Sequence, residues 1–274
     1  MLNKIKNKKD FVAVFLAAGV SSRFGNKIKQ LAKVGPNGES LIEASVGQAI
    51  SAGFNKIILI VGDLTEAPIK KKLGYIYKGI PIVYVKQNFS TEERDRPWGT
   101  ADALCSINNI VNNPFVVCNG DDIYGEKTFK ILLNHIHTLG TPAIIGYKLS
   151  ESLSDNGTVN RGIFEVRAGK VVKITETFNI SKEDLITKKI DPESLCSQCI
   201  SVLNPKIIKL LNKKLLQFKR KHVGDRKTEC ILSVELSNLI EEGKIEMILL
   251  STTDKWMGIT NPGDEIIIRR SLCL

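Results

Sequence analysis

Apolar and polar positions follow two rhythms along the chain. Residues 11–16, 56–61, 80–85, 115–118 and 142–149 are short apolar runs, several of them rich in β-branched residues, and predict strands. Between them, residues 40–52, 100–111 and 127–139 carry apolar positions at helical spacing. Gly53, the turn-like Asn112-Asn113-Pro114 and Gly140 mark their ends. This β-α-β-α order predicts a mostly parallel sheet covered on both faces, with right-handed crossovers. Ligands of such sheets bind outside the carboxyl ends of the strands, so the residues just after each strand carry the chemistry.

From Arg161 onward the rhythm changes. Residues 161–177 read as a hairpin turning near Ala168-Gly169, and residues 196–203 as one further strand. Helical patterns follow at 205–218 and 231–242, then a strand at 245–251 and a short helix beginning near Pro262. There is no solenoid-like repeat and no linker-like stretch. One domain over 1–274 is expected, with a nucleotide-binding half at about 11–150 and an acceptor-binding half at about 151–274.

A chain of 274 residues that is 43% hydrophobic can bury a large core, and no apolar run reaches membrane-spanning length. The apolar run after the basic N-terminus is short and leads straight into a loop. It reads as the first strand rather than a signal peptide, so a cytoplasmic protein is expected. A net charge of +10 raises nucleic-acid binding, but aromatics are only 6% and no basic stripe is interleaved with them. A lysine-rich surface accounts for the charge and suits small polyanionic substrates. No nucleic-acid or membrane partner is expected. Cys196 and Cys199 form a lone C-x-x-C without a second pair or placed histidines, so all six cysteines are expected as reduced structural thiols.

Three strand ends hold candidate chemistry. The first strand runs into Ala17, Ala18, Gly19, Val20, Ser21, Ser22 and Arg23, with Lys29 soon after. This is neither a Walker loop nor a dinucleotide fingerprint. Small residues let backbone N–H groups approach an anion, Arg23 offers a planar fork to phosphate oxygens, and Lys29 a mobile charge. The strand at 115–118 ends in Asn-Gly-Asp-Asp. Asp121 and Asp122 suit Mg²⁺, and an Asp-rich turn or helix cap reads equally well. After residues 80–85 comes Gln87 and a long polar segment expected to be a mobile loop. Gly99 and Thr100 then open a helix that could face a base or phosphate, or be an ordinary N-cap.

These pieces, in this order, resemble the sugar-1-phosphate nucleotidyltransferases, or nucleotide-sugar pyrophosphorylases, over about residues 11–265. The resemblance rests on the loop at 14–31, on PWGTADAL (97–104), NGDDIYG (119–125), NGTVNRGIFEV with KITET (156–177) and DKWMGITNPGDE (254–265). It implies an α/β fold, a Rossmann-like three-layer sandwich with a mostly parallel mixed central sheet. It implies Mg²⁺-dependent nucleotidyl transfer from a nucleoside triphosphate to a sugar 1-phosphate or similar phosphomonoester, with release of pyrophosphate. Arg23, Lys29 and Asp121 would be catalytic, with Asp121 the metal ligand. Ala17, Ala18, Gly19, Ser21, Ser22, Gln87, Gly99 and Thr100 would hold the nucleotide, with a pyrimidine base favoured. Gly162 and Glu176 would line the acceptor pocket, although Glu176 also reads as an exposed strand residue. Relatives often form dimers or tetramers, which leaves room for a homo-oligomer.

The chain departs from the family pattern twice. Gly258 stands about where the family has a second metal aspartate, and Asp254 is the candidate to replace it. The family's Glu-Lys pair is Glu176-Thr177 here, leaving Lys173, Lys148 or Arg161 to supply the missing charge. An acceptor such as phosphocholine or a polyol phosphate, or a non-catalytic nucleotide-binding subunit, are the alternatives. No β-helix tail follows, so acetyltransferase activity is not expected.

Overall fold

Strand β1 (Val12–Ala17) shows how the sheet is built. Val12, Val14 and Leu16 pack into one apolar cluster, and Ala13, Phe15 and Ala17 into another on the opposite face. A strand buried on both faces reads as a continuous apolar run, which is why β1, β2 (Lys56–Val61) and β5 (Phe115–Asn119) are visible in the sequence. The structure, a computed structural model, describes residues 9–19, 28–188 and 190–273.

After β1 and β2, with α1 (Leu41–Ala52) between them, come α2 (Glu66–Leu73), β3 (Ile76–Tyr77), β4 (Ile80–Lys86) and α3 (Thr100–Cys105). After β5 follow β6 (Asp122–Ile123), α4 (Glu126–Thr138), β7 (Ala143–Lys148), β8 (Val159–Arg167), β9 (Lys170–Ile180), α5 (Asp184–Thr187), β10 (Leu195–Ser197) and β11 (Ser201–Leu203). The chain closes with α6 (Pro205–Lys221), α7 (Leu232–Glu241), β12 (Met247–Ser251), β13 (Met257–Gly258) and α8 (Asp264–Leu272).

The main sheet runs β10-β8-β9-β12-β7-β11-β5-β1-β2-β4-β3. Strands β4, β2, β1 and β5 are parallel, β11 is antiparallel to both β5 and β7, and β12 is parallel to β7. β10 also pairs with β7, so β7, β10, β8, β9 and β12 form a closed ring of pairings. Helices α3, α6 and α7 cover one face, and α1, α2 and α4 the other. The expected three-layer α/β sandwich is observed, with a mixed sheet whose core strands are mostly parallel.

Local signals explain the ends that were legible. Ser40 and Glu43 form a capping box at α1, and Gly53 ends it in the left-handed conformation. Asn204 accepts from the N–H groups of Lys206 and Ile207 to start α6, with Pro205 in its first turn.

Three elements differ from expectation. The strand expected at 196–203 is two strands, because Cys199 takes a positive φ of 57° and breaks the ladder between them. The helix expected over 100–111 ends at Cys105. The Ser106 hydroxyl bonds back to the Ala103 carbonyl, and i→i−3 turns carry the chain on to Ile110. The segment expected as a mobile loop before Gly99 is tied down. Arg94, 2% exposed, donates to the carbonyls of Arg96, Asp225 and Thr228 and stacks 3.6 Å over Trp98. Arg226 reaches back to Asp95 and to the carbonyls of Glu92 and Thr91. Among the described residues no helix is long and apolar enough to cross a membrane.

Candidate functional site

The carboxyl ends of β1, β4 and β5 open into one cleft of about 590 Å³. Ala18 and Gly19 leave β1, Gln87 follows β4, and Asn119 and Asp121 leave β5. Lys29 arrives on a single 3-10 turn, Lys29–Leu31, and lines the same cleft. Gly99 and Thr100 form the far wall. Of the residues singled out in the sequence, Ala18, Gly19, Lys29, Gln87, Gly99, Thr100 and Asp121 therefore meet. Ala17 lies buried beneath them as the last residue of β1. Arg23, Ser21 and Ser22 lie outside the described residues.

The charges in the cleft are coupled. Burial raises the pKa of Asp121, and the positive charge of Lys29 pulls it back down. Asp122 points the other way. Its Oδ2 accepts from Asn119 Nδ2 and the Tyr124 hydroxyl, both at 3.0 Å. Burial first, and the charge of Asp121 second, push its pKa up to about 7. Tyr124 has one proton for two acceptors, Asp122 and the Gln198 carbonyl at 2.8 Å, and its oxygen accepts from Asn119 N at 3.0 Å. Asp121 is thus the carboxylate turned to the cleft, and Asp122 a buried structural one.

The far wall is stitched to the segment before α7. Gly99 has φ 99°, and a Cβ there would stand 2.5 Å from the Cys230 carbonyl oxygen. Cys230 N donates to the Trp98 carbonyl, and Ala101 N to that of Cys230. The Thr100 hydroxyl accepts from Leu232 N at 2.9 Å, so it braces α7.

A second cavity of about 180 Å³ adjoins the first and shares Thr100 and Asn119 with it. Gly162 and Glu176 are direct partners across β8 and β9, and both line this cavity. A Cβ at Gly162 would crowd Ile174 and the Glu176 carboxylate. Glu176 Oε2 accepts from the Ser233 hydroxyl at 2.6 Å, so its carboxylate is aimed and not merely exposed.

The two departures have physical outcomes. Asp254, offered as a second metal ligand, does not line the cleft. Its Oδ2 accepts from Thr128 N at 3.1 Å and packs over Gly125, so it caps the start of α4. At Gly258 the space for a side chain is filled. A Cβ there would run into Asp122 Oδ1 and the Trp256 ring. The buried indole N–H lies near enough to lower the pKa of Asp122, yet it makes no hydrogen bond among the described residues. Of the offered cations, Arg161 lines the second cavity, where burial lowers its pKa and the charge of Glu176 favours its charged form, while the two lysines are engaged elsewhere. Lys148 pairs with Glu193 and Lys173 faces Glu241. The Arg161 guanidinium donates to the carbonyls of Ser152 and Asn160 and lies 4.7 Å over Trp256.

Several lining residues carried no local signal. Gln30 is 3% exposed, lines the cleft, and its Oε1 has no partner among the described residues. Arg96 pairs with Glu229 at 3.1 Å across the cleft mouth, and Ser233 orients Glu176. Glu229 and Ser233 come from far along the chain, so only the fold reveals them. Burial raises the thiol pKa values of Cys105, Cys118, Cys196, Cys199 and Cys230, those of Cys105, Cys199 and Cys230 to about 12, which makes these thiols inert. Among the described residues no three His, Cys, Asp or Glu side chains cluster to hold a metal.

Residues 12–228 match the model of the nucleotidyl transferase family. No curated protein matches the chain by sequence. Solved structures share its fold. A Bacillus anthracis protein described as a glucose-1-phosphate thymidylyltransferase, in complex with sucrose, has a TM-score of 0.70 at 16% identity, covering 96% of this chain and 95% of that one. The inositol-1-phosphate CTP transferase from T. maritima has a TM-score of 0.66 at 16% identity, covering 96% of each chain. A UDP-glucose pyrophosphorylase with UDP-glucose has a TM-score of 0.68 at 16% identity, covering 96% and 98%.

Proposed function

We propose, for a chain that belongs to the nucleotidyl transferase family, that it joins a nucleoside triphosphate to a sugar 1-phosphate or similar phosphomonoester and releases pyrophosphate. The observation that carries this is the meeting of Lys29, Asp121, Gln87 and Gly99 in one cleft, with a carboxylate-bearing cavity opening on the same wall. The similar structures act on glucose 1-phosphate, inositol 1-phosphate or UDP-glucose by their descriptions, and their fold supports the same class of reaction here. The nucleotide half, about 11–150, and the acceptor half, about 151–274, act as one domain. We assign the reaction to the cytoplasm as part of this reading.

In this reading a phosphate oxygen of the acceptor attacks the α-phosphorus, and the bond to the pyrophosphate oxygen breaks. A phosphomonoester loses its second proton near pH 6, so the nucleophile is ionised without a general base. The chain then has positioning and charge neutralisation to supply. Ala18 and Gly19 admit the phosphates close to the backbone, together with Ser21, Ser22 and Arg23 of the same loop. Lys29 stabilises charge on the transferred phosphoryl group. Gln87 and Gly99 meet the base, and Glu176 accepts from acceptor hydroxyls beside Gly162.

Asp121 fits a divalent cation. It is a carboxylate that burial penalises when charged, on a wall where Lys29 is the nearby cation. Mg²⁺ needs few carboxylates when substrate phosphates complete its shell, which suits one cleft-facing aspartate. When bound, the ion would neutralise charge developing on the phosphate oxygens.

The test is a pyrophosphate-release screen. ATP, CTP, GTP, UTP and dTTP are crossed with sugar 1-phosphates, polyol phosphates and phosphocholine, with and without Mg²⁺. One responsive pair that needs Mg²⁺ is expected. Silence across the grid, with nucleotide binding still seen by thermal shift, would instead make the chain a non-catalytic nucleotide-binding subunit.

A further inference from the structure

Gln87 does not meet its surroundings symmetrically. Both protons of its amide nitrogen are committed: Nε2 donates to Asp102 Oδ2 at 2.8 Å and to the Gly99 carbonyl at 3.1 Å. Turning the amide over would press its oxygen against two acceptors, so these partners dictate the orientation. The oxygen Oε1 accepts no bond from the described residues, and Gln87 lines the cleft. Asp102 is 8% exposed on the first turn of α3 and is itself held. Lys219, near the end of α6, donates to its other oxygen at 2.6 Å while lying 5.5 Å from the Trp98 ring. A lysine, a carboxylate and an amide thus stand in line, running from the surface to the cleft.

We infer that Asp102 and Lys219 are positioning residues that fix the polarity of Gln87, so that the cleft presents a hydrogen-bond acceptor and selects nucleotides whose base offers an N–H at that point. The inference rests on the reading that a nucleoside triphosphate occupies the cleft with its base at Gln87. Lys219 is a donor only. It therefore dictates which end of residue 102 faces it, and the opposite end faces Gln87. With aspartate both ends accept and Gln87 must donate inward. With asparagine, Lys219 would hold the amide oxygen and turn the NH₂ toward Gln87. Gln87 would then reverse, giving up its bond to the Gly99 carbonyl for the shorter contact to residue 102, and offer its own NH₂ to the base.

The experiment measures the dissociation constants of UTP, CTP, dTTP, ATP and GTP by calorimetry with Mg²⁺, for the wild type and Asp102→Asn, and compares their ratios. The isosteric change should reorder the five nucleotides, with the preferred one losing about tenfold or more against a base that offers an acceptor. The double variant D102N/K219M frees residue 102 to turn its oxygen inward, and should restore the wild-type order. A merely structural ion pair would shift all affinities together and leave the order intact. Should D102N not fold, the wild type still decides the matter. Its preferred nucleotide, N-methylated on the donor edge of the base, must bind about tenfold or more weaker. A folded D102N with the wild-type order, or an N-methylated nucleotide that binds as well as its parent, overturns the inference alone. A wild type that binds none of the five overturns the nucleotide reading and the inference with it.

Discussion

The nucleotide cleft and the acceptor cavity adjoin, but they are built in opposite ways. The cleft is made from the residues that follow strands β1, β4 and β5, each a few positions beyond a buried apolar run. Its chemistry is backbone approach plus a lysine and an aspartate, which a parallel sheet places at one edge by topology alone. The acceptor cavity is made from a cross-strand pair, Gly162 and Glu176, a serine on α7 and the broken segment between β10 and β11. Its shape depends on side chains from distant parts of the chain. Local sequence therefore carries the reaction type, while the identity of the acceptor lies in long-range packing.

Substitutions can break this contrast. The largest effect is expected at Asp121. Asp121→Asn keeps the shape of the cleft wall but removes the charge that would hold the cation. It should lower kcat about 10³-fold with an unchanged melting transition, measured by pyrophosphate release and circular dichroism. Turnover within a few-fold of wild type would remove Asp121 from the reaction. Lys29→Ala should cost about 10²-fold in kcat at saturating substrates, with KM for the nucleotide moving little. An effect confined to KM would assign Lys29 to ground-state binding.

Gly258→Asp sharpens the comparison from the stability side. A side chain there meets Asp122 and the Trp256 ring, so it should destabilise the fold by about 2 kcal/mol in urea titration and leave turnover no higher. A gain in Mg²⁺ affinity without loss of stability would show that the site accepts a second metal carboxylate after all. The smallest effect is expected at the acceptor end. Glu176→Gln should raise KM for the acceptor about tenfold and leave KM for the nucleotide unchanged. Equal changes in both would mean that the two cavities do not divide the substrates.

The same contrast explains what could be read from the sequence. β1, β2 and β5 are legible because burial on both faces leaves an unbroken apolar run, and α1 because Ser40, Glu43 and Gly53 mark its ends. Lys29 and Asp121 are legible because they follow such runs. The break at Cys199 was hidden because cysteine gives no signal for a positive φ. The two-residue pairing of β6 with β13 was hidden because no short pattern announces it, yet it brings Gly258 against Asp122 and leaves no room for a side chain there. The place of Asp254 is hidden for a related reason. The start of α4 engages its carboxylate through Thr128, far away along the chain. Glu229, Ser233 and the Lys219–Asp102 pair reach the site across long stretches of chain, beyond any local window.

The central claim is that the α-phosphoryl group moves while β and γ leave together. Following isotopic labels placed separately at the α- and γ-phosphorus of the responsive nucleotide tests it most directly. The account predicts that the α label appears in a nucleoside monophosphate joined to the acceptor's phosphate and the γ label in pyrophosphate, both lost in Asp121→Asn. A γ label found on the acceptor, or an α label found only in free nucleoside monophosphate, would contradict it.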